Sequence, residues 1–175
     1  MLKKTSGIVL SHIKYKDTSI IVRIFTRDLG LKAYLVNGVR SLGKGSKIAL
    51  YQPLTLLDLV VYDKENTGLQ RISEAKINTP QRLIPFDMAR TSLALFATEV
   101  ISRSILEGYQ NEELFDFLCE SISTFDDTKH ERDVLIKCVL PAVQRYARAV
   151  RFEVVLSEMR FGIRKGLSDD HTTTE

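Results

Sequence analysis

Three observations predict an α+β fold, with strands first and helices after. The first 80 residues hold short runs of β-branched and aromatic residues with period-2 alternation. The connections between these runs are too short for crossover helices. Past Thr79-Pro80 the apolar residues recur at helical spacing instead. The expected division is a small closed barrel over residues 1–79 and a helical domain over 80–175.

The first strand-like run contains Ile8, Leu10, Ile13 and Tyr15 and stops at Lys16-Asp17. The second spans Ser19 to Thr26, with Ile20, Ile21, Val22, Ile24 and Phe25. Asp28-Leu29-Gly30 signals a hairpin, because Gly30 is free to take positive φ. Leu31 to Val36 alternates, placing Leu31, Ala33 and Leu35 on one face and Lys32, Tyr34 and Val36 on the other. A glycine-rich loop comes next. Ile48 to Tyr62 reads as one long apolar strand with an irregularity at Pro53. Asn66-Thr67-Gly68 turns the chain into a last strand, Leu69 to Ile77. Sequential antiparallel pairing is expected. Five short strands in about 80 residues predict the five-stranded OB-fold.

In the second half, Pro80 and Pro85 bracket a connector. A helix is predicted from Phe86 to about Glu107, with Ala89, Leu93, Phe96, Val100 and Ile101 as its apolar stripe and Gly108 as its stop. A second runs from about Asn111, its N-cap, to Phe125, with Leu114, Leu118, Ile122 and Phe125 inward. Asp126-Asp127-Thr128 breaks it. A third helical stretch starts near Lys129 and carries Val134, Leu135, Cys138 and Val139 up to Pro141; a fourth runs from Ala142 to Arg160. The tail from about residue 163 is polar and expected to fray.

The net charge of +3 conceals a split. Residues 1–80 carry 13 Lys and Arg against 6 Asp and Glu; residues 81–175 carry 12 against 16. A basic first half suits an anionic partner. Cys119 and Cys138 form no C-x-x-C pair and read as buried, reduced thiols. No metal or other cofactor is expected. No signal peptide and no membrane-length apolar run is visible, so a cytoplasmic location is expected. His12, His130 and His171 are scattered, and no catalytic motif accompanies them, so the chain reads as non-enzymatic.

The densest chemistry lies between Asn37 and Lys47, where three glycines and the cations Arg40, Lys44 and Lys47 fall together. Open backbone N–H groups beside positive charge suit a phosphate. Gly38-x-x-x-x-Gly43-Lys44 matches the start of a P-loop, but Gly45 stands where Ser or Thr would hold magnesium, and the residues from Ile48 onward read as strand rather than helix. A contact that tracks a nucleic-acid backbone fits better. Tyr34 beside Lys32, and Arg23 and Arg27 flanking Phe25, have the alternation of an outward stacking platform with cations around it. Long stems lying over apolar neighbours give the same pattern. Arg145, Arg148 and Arg151 form a helical basic stripe able to grip the acidic tail of a partner, or simply a solvated face.

Several segments resemble the N-terminal domain of the bacterial recombination mediator family RecO. They are Gly7-Ile8-Val9-Leu10, Tyr15-Lys16-Asp17-Thr18-Ser19, Phe25-Thr26-Arg27-Asp28-Leu29-Gly30, Asn37-Gly38-Val39-Arg40 and Gln52-Pro53, in that order. Phe152 to Gly162 is similar, more weakly, to a family helix that ends in Leu-Gly. The resemblance implies an OB-fold followed by a helical domain. It also implies binding of single- and double-stranded DNA, annealing of complementary strands, and work with RecR and the single-strand binding protein SSB to load a recombinase. It places DNA contact on Arg40, Lys44 and Lys47. Members usually continue past the Leu-Gly helix, many with a four-cysteine zinc site. This sequence stops at Glu175 without those cysteines, as expected of a short member or of one lacking its C-terminal part. The other reading is a protein-interaction adaptor whose barrel is only scaffold.

Overall fold

The computed structural model describes residues 1–39, 47–64 and 68–127. The helical stretches and tail expected beyond residue 127 lie outside them, as do Cys138, His130 and His171. Five strands come first: β1 (Leu2–Tyr15), β2 (Ser19–Thr26), β3 (Gly30–Val36), β4 (Leu56–Tyr62) and β5 (Leu69–Thr79). Two helices follow, α1 (Met88–Ser104) and α2 (Glu112–Asp127).

The strands close into a barrel in the order β1-β2-β3-β5-β4. The 14-residue β1 serves two neighbours: Leu2–Ile8 pairs with β4, and Gly7–Tyr15 with β2. Its register shifts between Val9 and Ser11, a bulge that bends the strand from one partner toward the other. Gly7 sits where the two pairings overlap, and a Cβ there would come within 2.6 Å of Ile24 Cγ2 and 2.9 Å of Leu59 Cδ1. Closure differs from the expected sequential pairing, since β3 pairs with β5, in parallel. The fourth strand joins β1 instead of β3, which leaves the free edge of β3 for β5.

The expected strand from Ile48 begins only at Leu56. Lys47–Tyr51 is a 3-10 helix whose Tyr51 is buried at the barrel core. Pro53 cannot donate to a ladder, and Leu54 takes φ 61°, so extended pairing cannot start earlier. Leu54 N–H donates to Val9 O at 2.8 Å and Val9 N–H to Thr55 O at 3.0 Å, which ties this turn to the β1 bulge.

Two apolar cores result. Inside the barrel lie Val9, Ile20, Val22, Ile24, Tyr34, Leu57, Leu59 and Val61. A second core joins the outer wall of the barrel to the helices: Ile8, Phe25, Leu31 and Leu56 meet Ala94, Ala97 and Ile101 of α1 and Leu114, Phe115 and Leu118 of α2. The Phe25 and Phe115 rings lie 5.9 Å apart at 53°, a tilted pair. The buried stripe of α1 is Arg90, Ala94, Ala97, Thr98 and Ile101, while Ala89 and Phe96 of the expected stripe are exposed. The α2 stripe is as expected.

Caps set the helix ends. Asp87 accepts from Arg90 N–H and Asn111 from Leu114 N–H. Gly108, with φ 77°, follows α1 rather than ending it, and its N–H reaches Leu31 O at 2.8 Å. Gly30 takes φ 69° at the β2–β3 turn, and any Cβ there would strike the Tyr109 carbonyl. The connector into α1 is held by Asp126, whose carboxylate accepts from the N–H groups of Arg82, Leu83 and Ile84 at 2.6, 2.9 and 2.8 Å.

Candidate nucleic-acid interface

The β1–β2 turn and the start of the glycine-rich loop come together at one end of the barrel. Ser19 Oγ donates to Asn37 Oδ1 at 3.0 Å, and Val39 N–H to Thr18 O at 2.9 Å. Val39 is fully buried in the barrel core, so the chain enters the loop from a fixed point beside that turn. It leaves the loop through Lys47, at the start of the 3-10 helix. Tyr51 closes that helix: it is buried, and its carbonyl lies 2.9 Å from His12 Nδ1 on β1. Burial pushes the Tyr51 phenol up to about 12. Lys47 is exposed; Arg40 and Lys44 lie outside the described residues. The element after the loop is therefore a five-residue 3-10 helix, not the α-helix a P-loop requires.

Tyr34 is not a stacking platform. It points into the barrel, fully buried, and burial pushes its phenol up to about 12. The nearby Thr26 hydroxyl opposes this only in part, being committed to Gly30 O at 2.8 Å. Alternation placed Lys32, Tyr34 and Val36 on one face correctly, but that face is the interior. Leu31, on the other face, looked inward because the helices bury it.

The remaining sequence-derived cations separate into bound and open. Arg27 reaches across to α2: its Nε and Nη2 donate to the two Asp116 oxygens at 3.0 Å each, and Nη2 lies 3.2 Å from Glu112. Asp116 holds the guanidinium well above its usual range, and Arg27 in turn lowers the Asp116 carboxyl. Lys32 donates to Asp63 at 2.7 Å, as does Lys3. Hydrogen bonds from Lys3 and Lys32 hold the Asp63 carboxyl down at about 2. Arg27 and Lys32 are thus each paired with a carboxylate within the fold. Arg23 is exposed on the outer wall of β2, with no acidic partner among the described residues. Arg145, Arg148 and Arg151 lie outside the described residues.

Sequence reasoning missed three open groups on the same surface. Tyr15 is partly exposed at the end of β1, with Lys16 Nζ 5.4 Å from its ring centroid. Arg71 on β5 is exposed and pairs in register with Leu35 of β3. The period-2 pattern of β1 could have found Tyr15 once the bulge was known, whereas Arg71 needed the parallel β3–β5 pairing. Cys119 is half-buried, and its thiol is pushed up to about 11 by burial. Among the described residues no three His, Cys, Asp or Glu side chains gather as a metal site, and no helix is long and apolar enough to cross a membrane. What the surface offers is sequence-blind attraction for a polyanion, beside aromatic and aliphatic side chains.

Residues 1–80 match the family model described as Recombination protein O N terminal, and residues 85–139 match Recombination protein O C terminal. Among curated proteins, a DNA repair protein RecO from Bacteroides fragilis is 42% identical over 129 residues, covering 74% of this chain and 53% of that protein. One from Flavobacterium psychrophilum is 39% identical over 125 residues, covering 71% of this chain and 52% of the relative. One from Flavobacterium johnsoniae is 32% identical over 164 residues, covering 91% and 69%. The chain spans about half the length of the first two.

Proposed function

The chain belongs to the RecO family of DNA repair proteins, and from that premise we propose that it binds single- and double-stranded DNA through the open end of its barrel and anneals complementary strands. The observation that carries this reading is the separation of cations. Arg27 and Lys32 are bound to carboxylates, while Lys47, Arg23 and Arg71 stand exposed without one among the described residues. Annealing requires two polyanions to be neutralised and brought together with their bases left free. Exposed cations on a rigid barrel do this by releasing condensed counterions, without reading sequence. Arg40, Lys44 and Lys47 supply charge from the loop. The activity is binding rather than catalysis, carried out in the cytoplasm with RecR and SSB in recombinase loading, and the basic stripe Arg145, Arg148 and Arg151 is a partner contact.

The test is a fluorescence titration of labelled single-stranded DNA across a salt series. Replacing Arg40, Lys44 and Lys47 with Ala should weaken binding and flatten the slope of log affinity against log salt by roughly 0.7 for each phosphate no longer neutralised. An unchanged slope removes the loop from the interface. Absence of binding by the unaltered chain at low salt favours the adaptor, in which the helices dock a partner and the barrel is scaffold.

A further inference from the structure

The β1 bulge re-aims one side chain. Val9 faces the barrel interior, and strict alternation from it would turn residue 11 inward and His12 outward. The register shift between Val9 and Ser11 reverses this. Ser11 pairs with the exposed Arg23, and His12 with Val22, which is fully buried in the barrel core. Opposite residues of an antiparallel pair share a face, so His12 is directed inward. There its ring meets the 3-10 helix Lys47–Tyr51, with Nδ1 2.9 Å from Tyr51 O. A carbonyl only accepts, so Nδ1 carries the proton of this bond. The last carbonyls of a helix find no donor within it, and Tyr51 is the last residue of this one. The same bulge holds the turn that follows, through Leu54 N–H to Val9 O at 2.8 Å and Val9 N–H to Thr55 O at 3.0 Å.

We infer that His12 is a positioning residue for DNA binding: by capping Tyr51 it holds the 3-10 helix so that Lys47 stands ready for a phosphate. The inference rests on the DNA-binding reading above and adds what fixes that cation. Lys47 opens the helix that Tyr51 ends, so the placement of one governs the other. A five-residue 3-10 helix has poor hydrogen-bond geometry and is marginal by itself. Tyr51, 3% exposed, anchors it by burial. Burial of one ring sets how deep the helix sits but leaves it free to pivot, and the His12 bond removes the pivot. A helix already in place presents its lysine without the entropy loss of ordering it during binding. A helix in place for only part of the time lowers the apparent affinity by that fraction. The ring is directed inward and its Nδ1 is engaged, so His12 acts through Lys47 rather than on the nucleic acid itself.

The experiment is a double-mutant cycle read on labelled oligo-dT at one low salt concentration. The full chain is compared with His12→Leu, His12→Asn, Lys47→Ala and the double variant of His12→Leu with Lys47→Ala. His12→Leu should weaken binding roughly 2- to 10-fold, the worth of one hydrogen bond. His12→Asn, whose amide N–H can reach the same carbonyl, should recover most of that loss. The double variant should bind as Lys47→Ala does, because a residue acting only through Lys47 has nothing left to position. Equal binding by His12→Leu and the unaltered chain overturns the inference while leaving DNA binding in place. Additive losses overturn it too, since His12 would then act on the DNA or on the whole barrel. So does a loss that His12→Asn does not recover. Nitrogen NMR of the neutral His12 ring in the unaltered chain is the second measurement, independent of how any variant folds. It should find the proton on Nδ1, and a proton on Nε2 overturns the inference. Failure of the unaltered chain to bind oligo-dT overturns both readings.

Discussion

The outer wall of the barrel has two ends built from the same strands, and they meet opposite fates. At the covered end, Ile8, Phe25 and Leu31 face the helices, and the charge at its margin, Arg27, is bound to Asp116 and Glu112. At the other end, Ile13, Ile21 and Leu35 lie on the same outer face with neither α1 nor α2 above them, and Arg23 and Arg71 have no acidic partner among the described residues. Residue type alone does not tell the two apart, because both ends mix aliphatic residues with arginine. What differs is whether α1 and α2 cover them. Where they do, an outward Phe becomes core and an Arg becomes a clasp. Where α1 and α2 do not reach, the same kinds of residue stay exposed among the described residues.

The comparison breaks most readily on stability. Phe25→Ala should cost about 3–5 kcal/mol in a urea titration, because it empties a site packed from both layers. Ile13→Ala, in the same wall, should change stability by no more than about 0.5 kcal/mol. Equal costs would mean that the two ends are not differently covered. Next in size, Asp126→Ala should lose roughly 2–3 kcal/mol by leaving the connector N–H groups without their acceptor. A near-neutral result would show that the connector is held otherwise.

A smaller effect concerns Asp63. Its folded-state acidity is increased by Lys3 and Lys32, so its contribution is present above about pH 4 and is lost as pH falls toward 2. The difference in urea midpoint between the unaltered chain and Asp63→Asn should therefore shrink over that interval. A constant difference would contradict the pairing.

Much of the molecule was legible in its sequence. The barrel-then-helices order, the change of period at Thr79-Pro80, the positive φ of Gly30 and the Asn111 cap are local properties, and local patterns announce them. The errors concern what lies across the molecule. Alternation groups residues by face but does not say which face is inward, and Tyr34 was misplaced for that reason. The 3-10 helix at Lys47–Tyr51 has the apolar composition of a strand, and only Pro53 and Leu54 hinted at its geometry. The partners of Arg27 lie more than 80 residues away, beyond any periodicity. The β3–β5 pairing, which brings Arg71 beside Leu35, is likewise a property of closure and not of either strand.

The central claim is that the open end of the barrel meets DNA and the covered end does not. The most direct measurement is the salt dependence of oligo-dT binding for two variants side by side, Arg23→Ala with Arg71→Ala, and Arg27→Ala alone. The double variant should flatten the slope of log affinity against log salt by roughly 1.4, about 0.7 for each phosphate that loses its cation, while Arg27→Ala leaves the slope where it was. A slope that flattens with Arg27→Ala and holds with the double variant would contradict the account.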